Sequence, residues 1–363
     1  MKVLVTGGAG YLGSVLVPKL LARGHQVRVV DLGYFGLDHM RRLWSPASST
    51  GETARWRRVE VIREDLRAIL TKPALGQELL EGCDAVIHLA AISNDPSADL
   101  HPDLTDEVNV GVTARLAELA RRERIRFLFS SSCSIYGENE GQIDETGVTN
   151  PLTVYASSKV TAEKILGELA DPNWTATILR NGTLFGFSPR MRFDLVVNIF
   201  SFQSVLYGQL KVFGDGLQWR PFLHVSDCAR AFIHFLENPD VRRACYNVAN
   251  ENLRVVDLVK TFRAMNPRLE VVHVATQDQD KRNYRVSNRR MLDSGFRPRV
   301  SVELGAEEMV DAIVGGQIPD PESIFYRNAK WLKELTQIGS MGHRELVGLI
   351  ETFKHMGAEV RST

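Results

Sequence analysis

KVLVTGGAGYLG, residues 2–13, is the stretch that decides the fold. A β-forming run, Val3 to Thr6, enters a cluster of glycines at Gly7, Gly8, Gly10 and Gly13. A helix-forming segment, Ser14 to Arg23, follows and is closed by Gly24. Both Gly7-x-x-Gly10-x-x-Gly13 and Gly8-x-Gly10-x-x-Gly13 are present. In a strand–turn–helix unit such glycines have separate physical tasks. The first makes the tight turn, the middle one lets backbone approach a pyrophosphate, and the last lets the helix pack on the strand. The helix start then offers free N–H groups to the phosphates. The next strand-like run, HQVRVVDL (His25 to Leu32), carries Asp31 near its end. An acid there binds adenosine ribose hydroxyls and repels a 2′-phosphate, which favours NAD over NADP. The cofactor-binding residues expected here are Gly7, Gly10, Tyr11, Leu12, Gly13 and Asp31. Arg28 lies inside the strand and is not expected to read a phosphate.

Outward from this unit, strand-like and helical runs alternate. DAVIHLAA (Asp84 to Ala91), IRFLFSSS (Ile125 to Ser132) and TATILRNG (Thr175 to Gly182) read as strands. Val108 to Glu123 and Tyr155 to Ala170 read as helices. Apolar strands alternating with helices imply a parallel sheet covered on both faces. The fold class expected is α/β: a doubly wound parallel sheet with a smaller C-terminal substrate-binding lobe. After about residue 183 the βα rhythm stops. Residues 1–183, with a return segment at about 222–248, are expected to form the dinucleotide-binding domain. The remainder of 184–363 forms a discontinuous substrate lobe with a helical extension. The polar stretch 42–57 reads as a surface loop. The last forty residues read as amphipathic helices, serving as a cap on the lobe or an oligomer contact.

Composition narrows the class. The chain has 363 residues, 44% hydrophobic and 24% charged, with Lys plus Arg and Asp plus Glu both at 44. Zero formal charge gives no field to attract nucleic acid or an anionic membrane. No apolar run is long enough to span a bilayer. Only Lys2 precedes the first strand and the glycines interrupt any apolar leader core, so no signal peptide is expected. Cys83, Cys133, Cys228 and Cys245 are widely spaced, without a CxxC pair. They fit reduced cytoplasmic thiols and suggest no metal site.

A second constellation carries chemistry. FSSSCSIYG (Phe129 to Gly137) ends a strand with a run of hydroxyls. VYASSK then supplies Tyr155 and Lys159, whose i, i+4 spacing puts both on one helical face. A cation beside a phenol favours phenolate. A phenol so tuned can take a proton from a sugar hydroxyl while hydride leaves the same carbon. A serine at the neighbouring strand end, Ser132, can hold that hydroxyl.

With these residues in view, the sequence resembles an extended short-chain dehydrogenase/reductase of the nucleotide-sugar epimerase/dehydratase branch, over about residues 1–300. The marks are GGAGYLG (7–13), Asp31, EDLR (64–67), HLAA (88–91), VNVGVT (108–113), SSSCSIYG (130–137), Tyr155-x-x-x-Lys159 and RPFLHVSD (220–227). The resemblance implies that Ser132, Tyr155 and Lys159 are catalytic, with Tyr155 as acid/base and Lys159 also binding the nicotinamide ribose. It implies an adenine pocket at Asp65 and Leu66, and a dinucleotide wall at Leu89, Ala90, Ala91 and Asn109. For the substrate, a nucleotide-diphosphate sugar, it implies Ser93, Ser134, Thr183 and Arg220, with Arg190 and Arg282 as further arginines for the diphosphate. Arg180-Asn181-Gly182-Thr183 departs from the branch, which often has an asparagine where Thr183 stands. Members commonly pair through a four-helix contact, which implies a homodimer built on the helices that begin near Val108 and Tyr155.

The same resemblance sorts the reactions. The 4,6-dehydratases carry an Asp-Glu pair after the catalytic hydroxyl, and the decarboxylases usually carry a glutamate in that segment. Here Cys133 and Ser134 follow Ser132. Epimerisation through a transient keto sugar, with C4 favoured, remains the main reading. The alternatives are an NAD(P)H-dependent keto-sugar reductase, an epimerase/reductase, and a non-catalytic dinucleotide sensor. Cys133, His88 and His224 are expected to be structural.

Overall fold

The computed structural model describes residues 1–40, 59–238, 241, 245–275 and 281–337. The stretch expected as a surface loop, 42–57, and most of the C-terminal forty residues lie outside the described residues.

Seven parallel strands form the main sheet: β1 (Lys2–Thr6), β2 (Gln26–Asp31), β3 (Val59–Arg63), β4 (Ala85–His88), β5 (Arg126–Ser132), β7 (Thr177–Asn181) and β11 (Cys245–Val248). Their spatial order is β11-β7-β5-β4-β1-β2-β3. The order reverses between β1 and β4. In open α/β sheets the crevice at such a switch point, beyond the carboxyl ends of the strands, is where ligands bind.

The strands are apolar on both faces because both are covered. Val3 and Val5 of β1 point into one core with Leu16, Val17 and Leu20 of α1 (Gly13–Ala22). Leu4, between them, points into the other core with Leu79 and Leu80 of α2 (Pro73–Leu80) and Leu116 of α3 (Val112–Arg122). Strand periodicity of two feeds the two layers alternately. Helix α4 (Val154–Glu168) joins the second layer through Ala162 and Leu166.

After Asn181 the chain leaves the main sheet. Gly182 donates its N–H to the Val248 carbonyl (2.9 Å), and an added Cβ there would lie 3.0 Å from the Pro221 oxygen. The following residues form β8 (Thr183–Phe185), which pairs with β10 (Trp219–His224); β10 also pairs with β12 (Glu251–Arg254). Two further pairs, β9 (Gln209–Phe213) with β13 (Glu270–Val274) and β6 (Glu138–Ile143) with β14 (Asn283–Val286), complete the smaller sheets. A third core joins α5 (Val196–Tyr207), α7 (Val255–Met265) and α8 (Val302–Val314). The segment expected to return to the first domain divides. β10 stays in the small sheet, while α6 (Val225–Glu237) packs Phe232, Phe235 and Leu236 with α1 and β11 rejoins the main sheet. Among the described residues, no helix is long and apolar enough to cross a membrane.

Candidate active site

The carboxyl ends of β1, β2, β4, β5 and β7 open into one cavity of about 690 Å³, closed on its far side by the small sheets. The glycine turn forms its floor. Gly7 has φ +68°, and a Cβ there would stand 2.7 Å from the Ala90 backbone nitrogen, so only glycine fits between β1 and β4. At Gly13 a Cβ would come within 2.5 Å of the Gly8 oxygen, so the start of α1 also demands glycine. Among the described residues, no side chain caps α1. The Ser14 and Leu16 amides bond the Gly10 and Leu12 carbonyls (both 2.9 Å), so the turn itself closes the helix start and its positive end faces the cavity. Asp31 accepts from Ala9 N (3.0 Å) and Gly33 N (2.8 Å), which fixes its carboxylate beside the turn. Burial raises its pKa, while the two backbone N–H groups and Arg190 oppose that shift. This cradle, which only glycines leave open, with an acid at the end of β2, fits NAD.

The other expected cofactor residues fall in two groups. Leu12, Leu66, Leu89, Ala90, Ala91 and Asp65 line the cavity, with Asp65 held by Arg67 at 2.6 Å. Tyr11 lines the cavity as well, whereas Asn109, expected in the dinucleotide wall, does not reach it. The Tyr11 hydroxyl donates to Gly186 O (2.6 Å) and receives Asn198 Nδ2 (3.1 Å), so its side chain ties the turn to the lobe. Asn109 is fully buried behind the wall. Its Oδ1 accepts from Ile92 N (2.8 Å), and its Nδ2 donates to Ile92 O and to Ser158 Oγ (3.0 Å). It pins the loop after β4 to α4 from a π-helical segment, Glu107–Gly111. Such bulges recur at functional sites.

Helix α4 presents Tyr155 and Lys159 to the cavity because its start is fixed. Thr153 Oγ1 accepts from Ala156 N (3.1 Å) and itself bonds Asp95. Lys159 Nζ donates to Ser130 O (2.9 Å) and lies 5.8 Å from the Tyr155 ring centre. Burial pushes the Lys159 ammonium down to about 8, with Glu163 opposing. Burial and the Asp95 charge push the Tyr155 phenol up to about 12, against a hydrogen bond with Ser132 and the charges of Arg192 and Arg282. The expected lowering by a neighbouring lysine is therefore reversed. Desolvation of the phenol outweighs every cation, and the opposing cations are arginines from the lobe side. Ser132 also accepts from Ser134 N (3.1 Å), which turns the chain after β5. The Ser134 hydroxyl is buried in the cavity wall without a partner among the described residues. An unmet buried hydroxyl costs about 1–3 kcal/mol, which a ligand hydroxyl would recover.

Across the cavity stand Thr183, Arg220 and Arg282. Arg220 is buried, donates to Trp219 O (2.8 Å) and to Arg282 O, and lies over the Tyr284 ring. Arg282 pairs with Asp95. Ser93 accepts from Arg192 Nη1 and Asn328 Nδ2, both at 3.5 Å. Arg190 does not join Arg220 and Arg282. Its guanidinium stacks on Phe35, 3.7 Å from the ring centre, at the Asp31 end. Arg180 lies behind the site in a buried ion pair with Glu163 (2.7 Å).

Sequence reasoning missed Asn94, Asp95, Arg192 and Asp194. Asn94, at φ +79°, donates to Asp194 Oδ2 (2.6 Å) and caps a short helix. Arg192 forms a two-pronged pair with Asp194 (2.9 and 3.1 Å). The Asn-Asp-Pro run at 94–96 is a turn signal, but nothing local shows it facing RMRFD at 190–194. His88 lies outside the cavity, between Thr6 (2.6 Å) and Thr113 (2.9 Å), and burial pushes it down to about 3. His224 binds Glu308 (2.8 Å), and Cys133 is buried against Arg180 O. All three fit the structural role expected of them.

Known proteins share this fold. A family model described as "NAD dependent epimerase/dehydratase family" matches residues 3–249. An uncharacterized UDP-glucose epimerase of Bacillus subtilis is 31% identical over 75% of this chain and 84% of its own. UDP-glucuronic acid decarboxylase 1 of Arabidopsis thaliana is 29% identical over 85% of this chain and 69% of its own. The UDP-glucuronic acid 4-epimerase of Bacillus cereus, solved with UDP-glucuronic acid and NAD, superposes with a TM-score of 0.73 at 26% identity, over 87% of this chain and 99% of that one. The chain is an enzyme of the NAD dependent epimerase/dehydratase family, with NAD as its cofactor.

Proposed function

We propose that the protein is a nucleotide-sugar epimerase acting on a UDP-sugar, with C4 the carbon inverted. The observation that carries this reading is the meeting of Ser132, Ser134, Tyr155 and Lys159 with the glycine cradle and Arg220 in one cavity. NAD, when bound, supplies an acceptor that takes a hydride from the sugar carbon and can give it back. Tyr155, as phenolate, which Lys159 and the positive charge of bound NAD would favour, takes the proton from the hydroxyl on that carbon and later returns it. Ser132 orients that hydroxyl, and Ser134 offers its buried hydroxyl to a neighbouring one. Lys159, held by Ser130 O, orients the ribose on the nicotinamide side. Arg220, with Arg282, grips the diphosphate, as guanidinium forks do. Residues 1–183 then hold the cofactor and the reacting groups, and the lobe supplies the diphosphate grip.

The relatives named for UDP-glucose and UDP-glucuronic acid support a UDP-sugar. The decarboxylase among them favours a second reading, loss of a carboxylate from a uronic acid. Against it, the loop after Ser132 offers Cys133 and Ser134 in place of an acid. Incubating the enzyme with UDP-glucose and with UDP-glucuronic acid, and following the sugars by proton NMR, separates the two. Appearance of the 4-epimer supports the proposal; a pentose product establishes decarboxylation and overturns it. The polar outer faces of α3 and α4 would pair two copies into a homodimer. A cytoplasmic setting fits the four free thiols.

A further inference from the structure

The C-terminal segment reaches the Asp31 end of the cavity. A short 3₁₀ turn, Ile324–Tyr326, leads into α9 (Asn328–Gln337). Trp331 and Leu335 are buried in a small cluster with Tyr34, Phe35, Ile324, Phe325 and Leu332, separate from the three large cores. Trp331 Nε1 donates to Tyr34 O (2.7 Å), and its ring packs on Phe325 at 4.3 Å. Tyr326 O accepts from Phe193 N (2.7 Å). The segment thus clasps the loop that follows Asp31, and Asn328 and Ala329 enter the cavity wall. Of the last forty residues, expected as a cap on the lobe or an oligomer contact, the described part, 324–337, touches both sides: Tyr326 and Arg327 pack on Phe193 and Phe202 of the lobe, and Trp331 on the loop after Asp31.

Arg190 is the residue this clasp holds. It is 5% exposed, in the cavity wall. Its Nη2 donates to Asn328 Oδ1 (2.6 Å), and its plane lies on Phe35. Its Nε is buried with no partner among the described residues. Leaving a guanidinium N–H unmet in a dry wall is costly. An oxygen of a ligand in the cavity would meet it, and the ligand at this end is the dinucleotide. We infer that Arg190 binds NAD, and that the C-terminal segment, through Asn328 and Trp331, is a latch that positions Arg190 and keeps the cofactor from exchanging. The inference deepens the proposed function. An epimerase gives the hydride back to the sugar that lost it, so a resident cofactor suits it.

The test uses the full chain. NAD bound to the purified protein is exchanged against isotopically labelled NAD, and the release rate is read with no turnover required. Where preparations arrive partly empty, the dissociation constant for added NAD is read instead. Trp331→Ala and Arg190→Lys are expected to speed release, or weaken binding, by about tenfold or more, the scale of one charge-assisted hydrogen bond. Trp331→Phe keeps an aromatic ring but loses the N–H to Tyr34 O and part of the buried volume, so it should fall between. Asn328→Ala, acting through Arg190, should follow Arg190→Lys. Affinity for UDP should stay within about twofold in all four, because the diphosphate grip is elsewhere. Unchanged NAD release and affinity across the set overturns the latch. Weaker UDP binding with unchanged NAD release returns Arg190 to the substrate. Neither readout depends on epimerisation, so a failure of the proposed reaction leaves this result standing on its own.

Discussion

On the β1–β2 side of the cavity, most of the site is main chain. Gly7 and Gly13 leave room that any side chain would fill, the start of α1 is closed by the carbonyls of the turn, and Asp31 is oriented by two backbone N–H groups. On the lobe side, the site is made of side chains from segments far apart in sequence. Asp95 meets Arg282, Asn94 meets Asp194, and Arg220 bonds the carbonyl of Arg282. The first side is written within residues 2–31; the second exists only once the chain has folded. Tyr155 sits where the two meet, raised by burial and Asp95 and countered by Arg192 and Arg282 of the lobe.

That meeting point gives the largest expected effect. Tyr155→Phe removes the proton carrier and keeps the ring. Turnover should fall at least about 100-fold, the usual scale for general acid–base catalysis, while NAD per chain stays as in the parent. Steady-state rates with bound-nucleotide analysis check both. Near-parental turnover would move the acid/base role off α4 altogether.

The two sides can then be separated by a pair of substitutions. Gly7→Ala puts a methyl 2.7 Å from the Ala90 nitrogen at a positive φ. The left-handed backbone alone costs about 1–2 kcal/mol, so NAD affinity should drop roughly tenfold, with UDP affinity far less affected. Arg220→Met should do the opposite. Losing a charge-assisted grip costs about 1.5–3 kcal/mol, which is roughly a 10- to 100-fold rise in the dissociation constant for UDP, with NAD retained. Calorimetric titration of each variant with each ligand gives the four numbers. If either substitution weakens both ligands equally, the two sides are one cooperative unit and the comparison fails.

The same division explains what was legible beforehand. The parallel sheet, the glycine cradle, Asp31 and the strand–helix pair carrying Ser132, Tyr155 and Lys159 all rest on local periodicity and short spacings. For Asn109 the sequence gives a position on a helix and not that its amide is taken up by Ile92 and Ser158. Arg190 was grouped with the diphosphate arginines because nothing in RMRFD distinguishes its direction from that of Arg192. The structure sends one to Phe35 and the other to Asp194. The sign of the Tyr155 shift failed for the same reason. Spacing shows that a lysine is near, and only the fold shows how dry the pocket is.

The smallest effect concerns buried charge. Where the lobe side spends ion pairs, the β4 end of the dinucleotide side holds a neutral relay, Thr6–His88–Thr113, at 2.6 and 2.9 Å. Burial, with the Lys159 charge adding to it, pushes His88 down to about 3. An exposed histidine titrates near 6.5. Between those values the unfolded chain binds the proton and the folded one does not. Stability is therefore full above about 6.5 and is lost as pH falls toward 3, by up to about 1.4 kcal/mol per pH unit from this one group. Carboxylates titrate in the lower part of the same window, so the parent's slope alone assigns nothing. His88→Gln keeps an amide between the two hydroxyls and cannot titrate. Its melting temperature should fall less than the parent's between pH 7.5 and 5.5, a range above most carboxylate titrations, whatever its absolute stability. Equal falls in both proteins would mean that His88 takes up its proton without unfolding, and that the dinucleotide side tolerates a buried charge as readily as the lobe does.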